Sequence, residues 1–141
     1  MKTVFILLLL MLHWVPQQNS AKLTVKVTGF KNDKGVVRAL LFNSENGFPE
    51  ATEKAIRSAS VKINGTQAEF EFENLPPGRF AISLFHDSQN SGKLRTNLVG
   101  IPRDGYGFSN NSMGTFGPPS FKDASFQITA GQNTHIIKLR H

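Results

Sequence analysis

The chain contains no cysteine. That absence excludes disulfide staples, thiol chemistry and cysteine zinc sites, and with them the lipidated cysteine that tethers bacterial lipoproteins. Tryptophan and tyrosine are nearly absent too, with one Trp and one Tyr against twelve Phe. Acidic side chains are few, 10 Asp+Glu against 16 Lys+Arg, but the basic ones are scattered singly rather than gathered into a patch. Nucleic-acid binding needs a concentrated basic footprint, so no nucleic-acid partner is expected. Long apolar runs are also missing, apart from Val4 to Leu12, which is shorter than the roughly 20 residues a bilayer span requires.

That one run is informative. Lys2, the apolar stretch and a polar, Pro-containing segment ending in small residues together have the layout of a secretory signal peptide, residues 1–21, with cleavage expected after Ala21. The mature chain, 22–141, then has 120 residues, 15 basic and 10 acidic side chains and a net charge of +5. This is the size of one domain with a real core. An exported protein, periplasmic or extracellular, is expected, with no membrane insertion once the leader is removed.

Along the mature chain the dominant signal is alternation. KLTVKVTG (22–29) places Leu23, Val25 and Val27 on one face, and GVVRALLFN (35–43) is apolar on both faces, as a central strand would be. ENGFPEATEKAIRSA (45–59) is the one helical candidate, with Glu50 and Glu53 early and Arg57 late, as the helix dipole favours. SVKIN (60–64) and QAEFEFE (67–73), joined by Asn64–Gly65, read as a hairpin. RFAISLFHD (79–87), KDASFQIT (122–129) and THIIKLR (134–140) complete seven strands. The expected fold is an all-β, antiparallel seven-stranded sandwich with one short helix and one long ordered loop rich in Gly, Pro and Asn.

That loop, GIPRDGYGFSNNSMGTFGPPS (100–120), holds five of the twelve glycines and three of the seven prolines, yet carries Tyr106, Phe108 and Phe116. Structureless loops longer than about 12 to 15 residues are uncommon inside compact domains. It reads as an ordered cover pinned by those three rings, or as a ligand-binding surface in which Tyr106 and Phe108 give an apolar face and Ser109, Asn110 and Asn111 the hydrogen bonds.

Catalytic and metal signals are weak. His86, His135 and His141 show no metal-ligand spacing, and His86 fits an imidazole at the core rim better than a ligand. No G-x-S-x-G elbow is present; a hydrolase would have to assemble its site in space from His86, Asp87 or Ser109. In DSQNSGKLR (87–95), Asp87, Gln89 and Ser91 take the first, third and fifth places of a calcium loop and Gly92 the sixth, but Arg95 stands at the ninth and Leu98 at the twelfth. A hydrogen-bonded turn, with Asp87 accepting from backbone amides, is the better reading, and no cofactor is expected. Asn64-Gly65-Thr66 and Asn110-Asn111-Ser112 are glycosylation sequons, which carry meaning only in a eukaryotic secretory pathway.

FEFENLPPGRFAISLFHDSQNSGKL and NLVGIPRDGYGFSNN, with FGPPSFKDASF, resemble a family of exported bacterial proteins, domain-of-unknown-function family 2141, over nearly all of the mature chain. The resemblance implies an immunoglobulin-like or transthyretin-like sandwich and carries no established activity. Its polar turn often reads Asp-x-Asn-x-Asn-Gly-Lys-Leu-Asp, from which this chain departs at Gln89, Ser91 and Arg95. The leading expectation is a non-enzymatic accessory, binding or structural module with a protein or glycan partner. The alternatives are a small-molecule or carbohydrate-binding module using 100–120, or the spatially assembled hydrolase.

Overall fold

A computed structural model of the chain describes residues 19–141; positions 1–18, most of the expected leader, lie outside the described residues. The strands are β1 (Ala21–Thr28), β2 (Val36–Phe42), β3 (Arg57–Lys62), β4 (Gln67–Leu75), β5 (Gly78–Asp87), β6 (Tyr106–Phe108), β7 (Phe126–Ile128) and β8 (Gly131–Lys138). One α-helix, α1 (Phe121–Ala124), and two 3-10 turns, Thr52–Lys54 and Ser109–Asn111, accompany them. The described residues thus hold eight strands where the alternation pattern predicts seven.

The strands form two sheets, β4-β1-β8 and β3-β2-β5-β6, and β7 pairs with the first residues of β5. All-β and layered is the architecture expected, but it is not wholly antiparallel: β1 runs antiparallel to β4 and parallel to β8 along its whole length, Ala21 opposite Gly131 through Thr28 opposite Lys138. Strand periodicity reports which side chains face in and says nothing of chain direction, so no residue pattern announces the parallel pair. Ala21, after which cleavage is expected, is itself the buried first residue of β1.

Alternation delivers the main core. Leu23, Val25 and Val27 from β1 and Ala68, Phe70 and Phe72 from β4 meet Val37, Ala39 and Leu41 from β2 and Phe80, Ile82 and Leu84 from β5. Ile137 of β8 and Ile128 of β7 close the ends of this cluster. Residues opposite each other in β2 and β5, such as Leu41 and Ile82, share this face.

The Asn64–Gly65 turn is where the expected hairpin fails. Asn64 and Gln67 exchange two backbone hydrogen bonds, 2.8 and 3.2 Å, and there the pairing ends. The chain then divides, β3 joining β2 in one sheet and β4 joining β1 in the other. A tight turn fixes local reversal only; each strand completes its ladder with a different partner.

Two other expectations change. The predicted helix over 45–59 is a loop with a single 3-10 turn, because Ile56 packs onto the core and Arg57 already enters the β2 ladder. Conversely, Lys122–Ala124, the start of the strand predicted over 122–129, belongs to the helix Phe121–Ala124, capped by Ser120, whose Oγ accepts from the Asp123 amide at 3.1 Å. Ser120-x-x-Asp123 has the spacing of a helix-start signature; Pro119 ahead of it and the strand pattern behind it mask the signal.

Those displaced pieces build a second layer. Ala81 and Ser83 lie on the far face of β5, away from the other sheet, and are nevertheless buried. The covering rings are Phe48 from the 43–55 loop, Phe108 from β6 and Phe121 from α1. Phe48 meets Phe42, Phe108 and Phe121 edge-on, with centroids 5.4, 6.3 and 5.9 Å apart. The Ser83 hydroxyl donates to the Pro49 carbonyl at 2.6 Å, which anchors the same loop.

Candidate functional site

β5 is paired on both sides, so its last residues reach one end of the sandwich in a fixed frame. Alternation puts His86 on the core side and Asp87 on the other, and both are buried, 4% and 1% exposed. Gly35 makes this junction possible: its φ is +69°, and a Cβ there would lie 2.0 Å from the Asp87 carbonyl oxygen.

A buried carboxylate needs donors, and Asp87 has four. Arg38 Nε donates to Oδ2 at 2.6 Å, Gly92 N to Oδ2 at 2.7 Å, and the Ser91 amide and hydroxyl to Oδ1 at 2.9 and 3.3 Å. Burial pushes this carboxyl up, but the Arg38 guanidinium and the Gly92 and Ser91 donors outweigh it and hold the pKa at about 2. Arg38 also donates to Asn90 Oδ1 at 2.7 Å, so one side chain ties β2 to both ends of the turn. Asp87 and Ser91 are therefore occupied in closing the 87–92 turn. Sequence reasoning missed Arg38. Its signal was present as a lone charge inside an otherwise apolar strand, a position that demands a partner.

A second carboxylate is held the same way. Asp104, also buried, takes Arg95 Nε at 3.1 Å on both oxygens, Arg95 Nη2 at 2.6 Å and the Arg95 amide at 3.2 Å. The Arg95 hydrogen bonds lower its pKa against the opposing effect of burial. Arg95, the residue that spoils the calcium-loop spacing, is thus the fork that locks the ribbon after the turn.

Between these ion pairs and the turn after β1 lies a cleft of about 130 Å³ lined by Lys31, Asn32, His86, Ser88, Arg95, Arg103, Asp104, Gly105 and His141. His86 Nε2 lies 2.6 Å from the Lys34 carbonyl and His141 Nε2 2.8 Å from that of Gly29. A carbonyl only accepts, so in both rings Nε2 carries the hydrogen and Nδ1 is the nitrogen left over. Phe30 meets the His86 ring edge-on at 5.2 Å. Gly105 leaves room for the C-terminal ring, since a Cβ there would stand 2.7 Å from His141 Cε1. The cleft is cationic: Asp104 is answered by Arg95, while Lys31 and Arg103 form no ion pair among the described residues.

The other expected site residues lie elsewhere, along the side of the five-stranded sheet. Tyr106 is half-buried and Phe108 buried, their rings 6.1 Å apart. Phe116, expected as a third pin, is fully exposed at 101%. Ser109 is wholly buried; its Oγ accepts from the Ile82 amide at 2.8 Å and donates to the Ala124 carbonyl. Asn110, at φ 60°, donates its amide to His135 Nε2 at 2.9 Å and its side chain to the Asp123 and Ser125 carbonyls at 3.1 and 2.9 Å. Asn111 Oδ1 accepts from the Lys138 amide at 2.9 Å. These polar groups stitch the cover to β5, α1 and β8. His86, Asp87 and Ser109 make no hydrogen bond to one another, and Gln89 takes no part in the Asp87 network.

His135 is stacked on Phe126 at 3.9 Å, and burial lowers its pKa. As an acceptor for the Asn110 amide, its Nε2 is unprotonated, which agrees in sign.

Fold and cleft together define a two-sheet β-sandwich with a small cationic site at the end where β5 terminates. The chain belongs to a bacterial family: it matches, over residues 25–137, the family described as an uncharacterized protein conserved in bacteria (DUF2141). That match runs from inside β1 to inside β8, so it takes in both sheets and every residue of the cleft except His141. No curated protein matches the chain.

Proposed function

We propose that the protein is an exported, non-enzymatic binding module of immunoglobulin-like or transthyretin-like type, acting in the periplasm or outside the cell, whose site is the cleft at the end of β5. The observation that carries this reading is the charge arrangement there. Arg95 neutralises Asp104, whereas Lys31 and Arg103 face the same space with no carboxylate of their own. A cleft of about 130 Å³ is well below the roughly 300–1,000 Å³ of a typical small-molecule site. It suits one anionic group, a carboxylate or phosphate, at the end of a larger ligand or on a glycan. Arg103, Asp104 and Gly105 belong to the 100–120 stretch, so that loop contributes through its first residues. The Ser109 hydroxyl, the Asn110 side-chain nitrogen and Asn111 Oδ1 are already spent on backbone partners, which weighs against a sugar site built on them.

Phosphate, citrate and glucuronate are the probes, followed by calorimetry and melting temperature at low ionic strength. Saturating ligand at about a hundred times its dissociation constant should stabilise the fold by about 2.7 kcal/mol. Arg103→Ala should abolish that gain while leaving the unliganded melting temperature unchanged. An unaltered response in Arg103→Ala, or no response to any of the three anions in the parent, overturns the reading. Turnover of ester or glycoside substrates lost on changing His86 would instead restore the hydrolase.

A further inference from the structure

The ribbon after the polar turn carries a different surface. Arg95 and Arg103 are joined by a 2.8 Å backbone hydrogen bond, Thr96 and Pro102 by a β-bridge, and Asn97 N donates to the Ile101 carbonyl at 2.9 Å. Asn97 Oδ1 then accepts from the Val99 and Ile101 amides, both at 3.0 Å, and Gly100 turns the chain at φ 83°. The tip is thus shaped by its own backbone bonds and buries none of its apolar side chains. Leu98, Val99 and Ile101 are 106%, 78% and 59% exposed. Single exposed apolar residues are ordinary, but three together on a preformed turn mark an interaction site.

Charge around the tip has one sign. From Ser88 to Arg103 the chain carries Lys93, Arg95 and Arg103 and no Asp or Glu. The carboxylates that bound the segment, Asp87 and Asp104, are buried and answered by Arg38 and Arg95. The neighbouring turn across the cleft adds Lys31 and Lys34 against Asp33.

We infer that this tip docks the protein on an anionic lipid surface, with Leu98, Val99 and Ile101 entering the headgroup–acyl boundary and Lys93 and Arg103 meeting lipid phosphates. Three aliphatic side chains on one turn are too small for a protein interface, which takes about 800 Å² per partner. The tip also lacks the aromatic anchors that dominate such interfaces, where Leu and Val are under-represented. Insertion of a pointed apolar tip beneath a cationic collar needs neither. No helix among the described residues is long and apolar enough to cross a membrane. The inference does not rest on ligand binding in the cleft, and Lys93 does not line it.

The test is flotation of the full mature protein with vesicles of phosphatidylglycerol and phosphatidylcholine in equal parts, against pure phosphatidylcholine. The parent should float with the anionic vesicles only. Leu98→Ser/Val99→Ser/Ile101→Ser should weaken that binding about tenfold or more, and Lys93→Gln about fivefold. Circular dichroism should show the parent melting temperature in both variants, since the altered side chains are exposed. Equal binding by the triple variant, equal binding to neutral vesicles, or no binding by the parent overturns the inference. So does a dimer or protein complex in light scattering that the triple variant abolishes while vesicle binding is absent, which would make the tip a protein contact.

Discussion

The two faces of β5 are buried by different means. Toward the other sheet, Phe80, Ile82 and Leu84 join a cluster built mainly from regular strands, among them the alternating β1 and β4. On the opposite face, Ala81 and Ser83 are covered by Phe48, Phe108 and Phe121, which come from a loop, a three-residue strand and a four-residue helix. The first face depends on repeated local geometry. The second depends on where three irregular segments land; the Ser83 hydroxyl and Asn110 side chain donate to backbone carbonyls, and the Ser109 Oγ accepts from the Ile82 amide, to hold them there. An apolar layer can therefore form without periodicity, provided polar side chains tie the backbone of its cover.

The sharpest way to separate the two layers is to hollow each. Ile82→Ala should cost about 2–5 kcal/mol and lower the melting temperature as a single cooperative transition. Phe108→Ala should instead expose amides of 43–55 and 106–124 to hydrogen exchange below the global unfolding free energy, because that layer opens by itself. If both variants unfold in one indistinguishable step, the layers are one cooperative unit.

The charge ties of β5 come next. Arg38→Ala leaves Asp87 buried with its ionic partner gone and should destabilise by about 2–3 kcal/mol in chemical denaturation. The Asp87 carboxyl has a pKa of about 2 folded against 3.8 for the ordinary group. Its contribution is therefore complete above pH ~4 and disappears as pH falls toward 2. Arg38→Ala should flatten that acid limb; an unchanged limb would show that the donors of Ser91 and Gly92 suffice.

The smallest effect belongs to the cover's edge. His135 has a lowered pKa, so the unfolded chain takes up the proton first, and stability is complete above pH ~6.5 and falls as pH drops below it. His135→Phe should remove this slope and cost about 1 kcal/mol at neutral pH through the lost acceptor for the Asn110 amide. A slope that persists in the variant assigns it to another histidine.

The legible part of the site was its location. His86 and Asp87 close a strand that alternation identifies, and DSQNSG marks the turn beyond it. Its composition was not legible: Lys31, Arg95, Arg103 and His141 come from three separate stretches, and nothing in their local spacing joins them. Of the three rings read as pins, Phe108 is buried and Tyr106 half-buried, whereas Phe116, in the same Gly- and Pro-rich stretch, is fully exposed. Composition cannot distinguish two such rings, because only the fold gives one of them a surface to cover.

By itself, the sequence determined an all-β architecture, the residues of the main core and the turn at Asp87, since all three follow from side-chain alternation and the backbone preferences of Gly, Asn and Pro over a few residues. Only the tertiary structure decided that β8 lies parallel to β1, that Asn64–Gly65 parts two sheets, and that Arg38 and Arg95 answer the two buried carboxylates. Apart from Arg95 and Asp104, which lie nine residues apart, these depend on contacts between segments tens of residues apart, where the energy of a whole ladder or a buried ion pair outweighs any local preference.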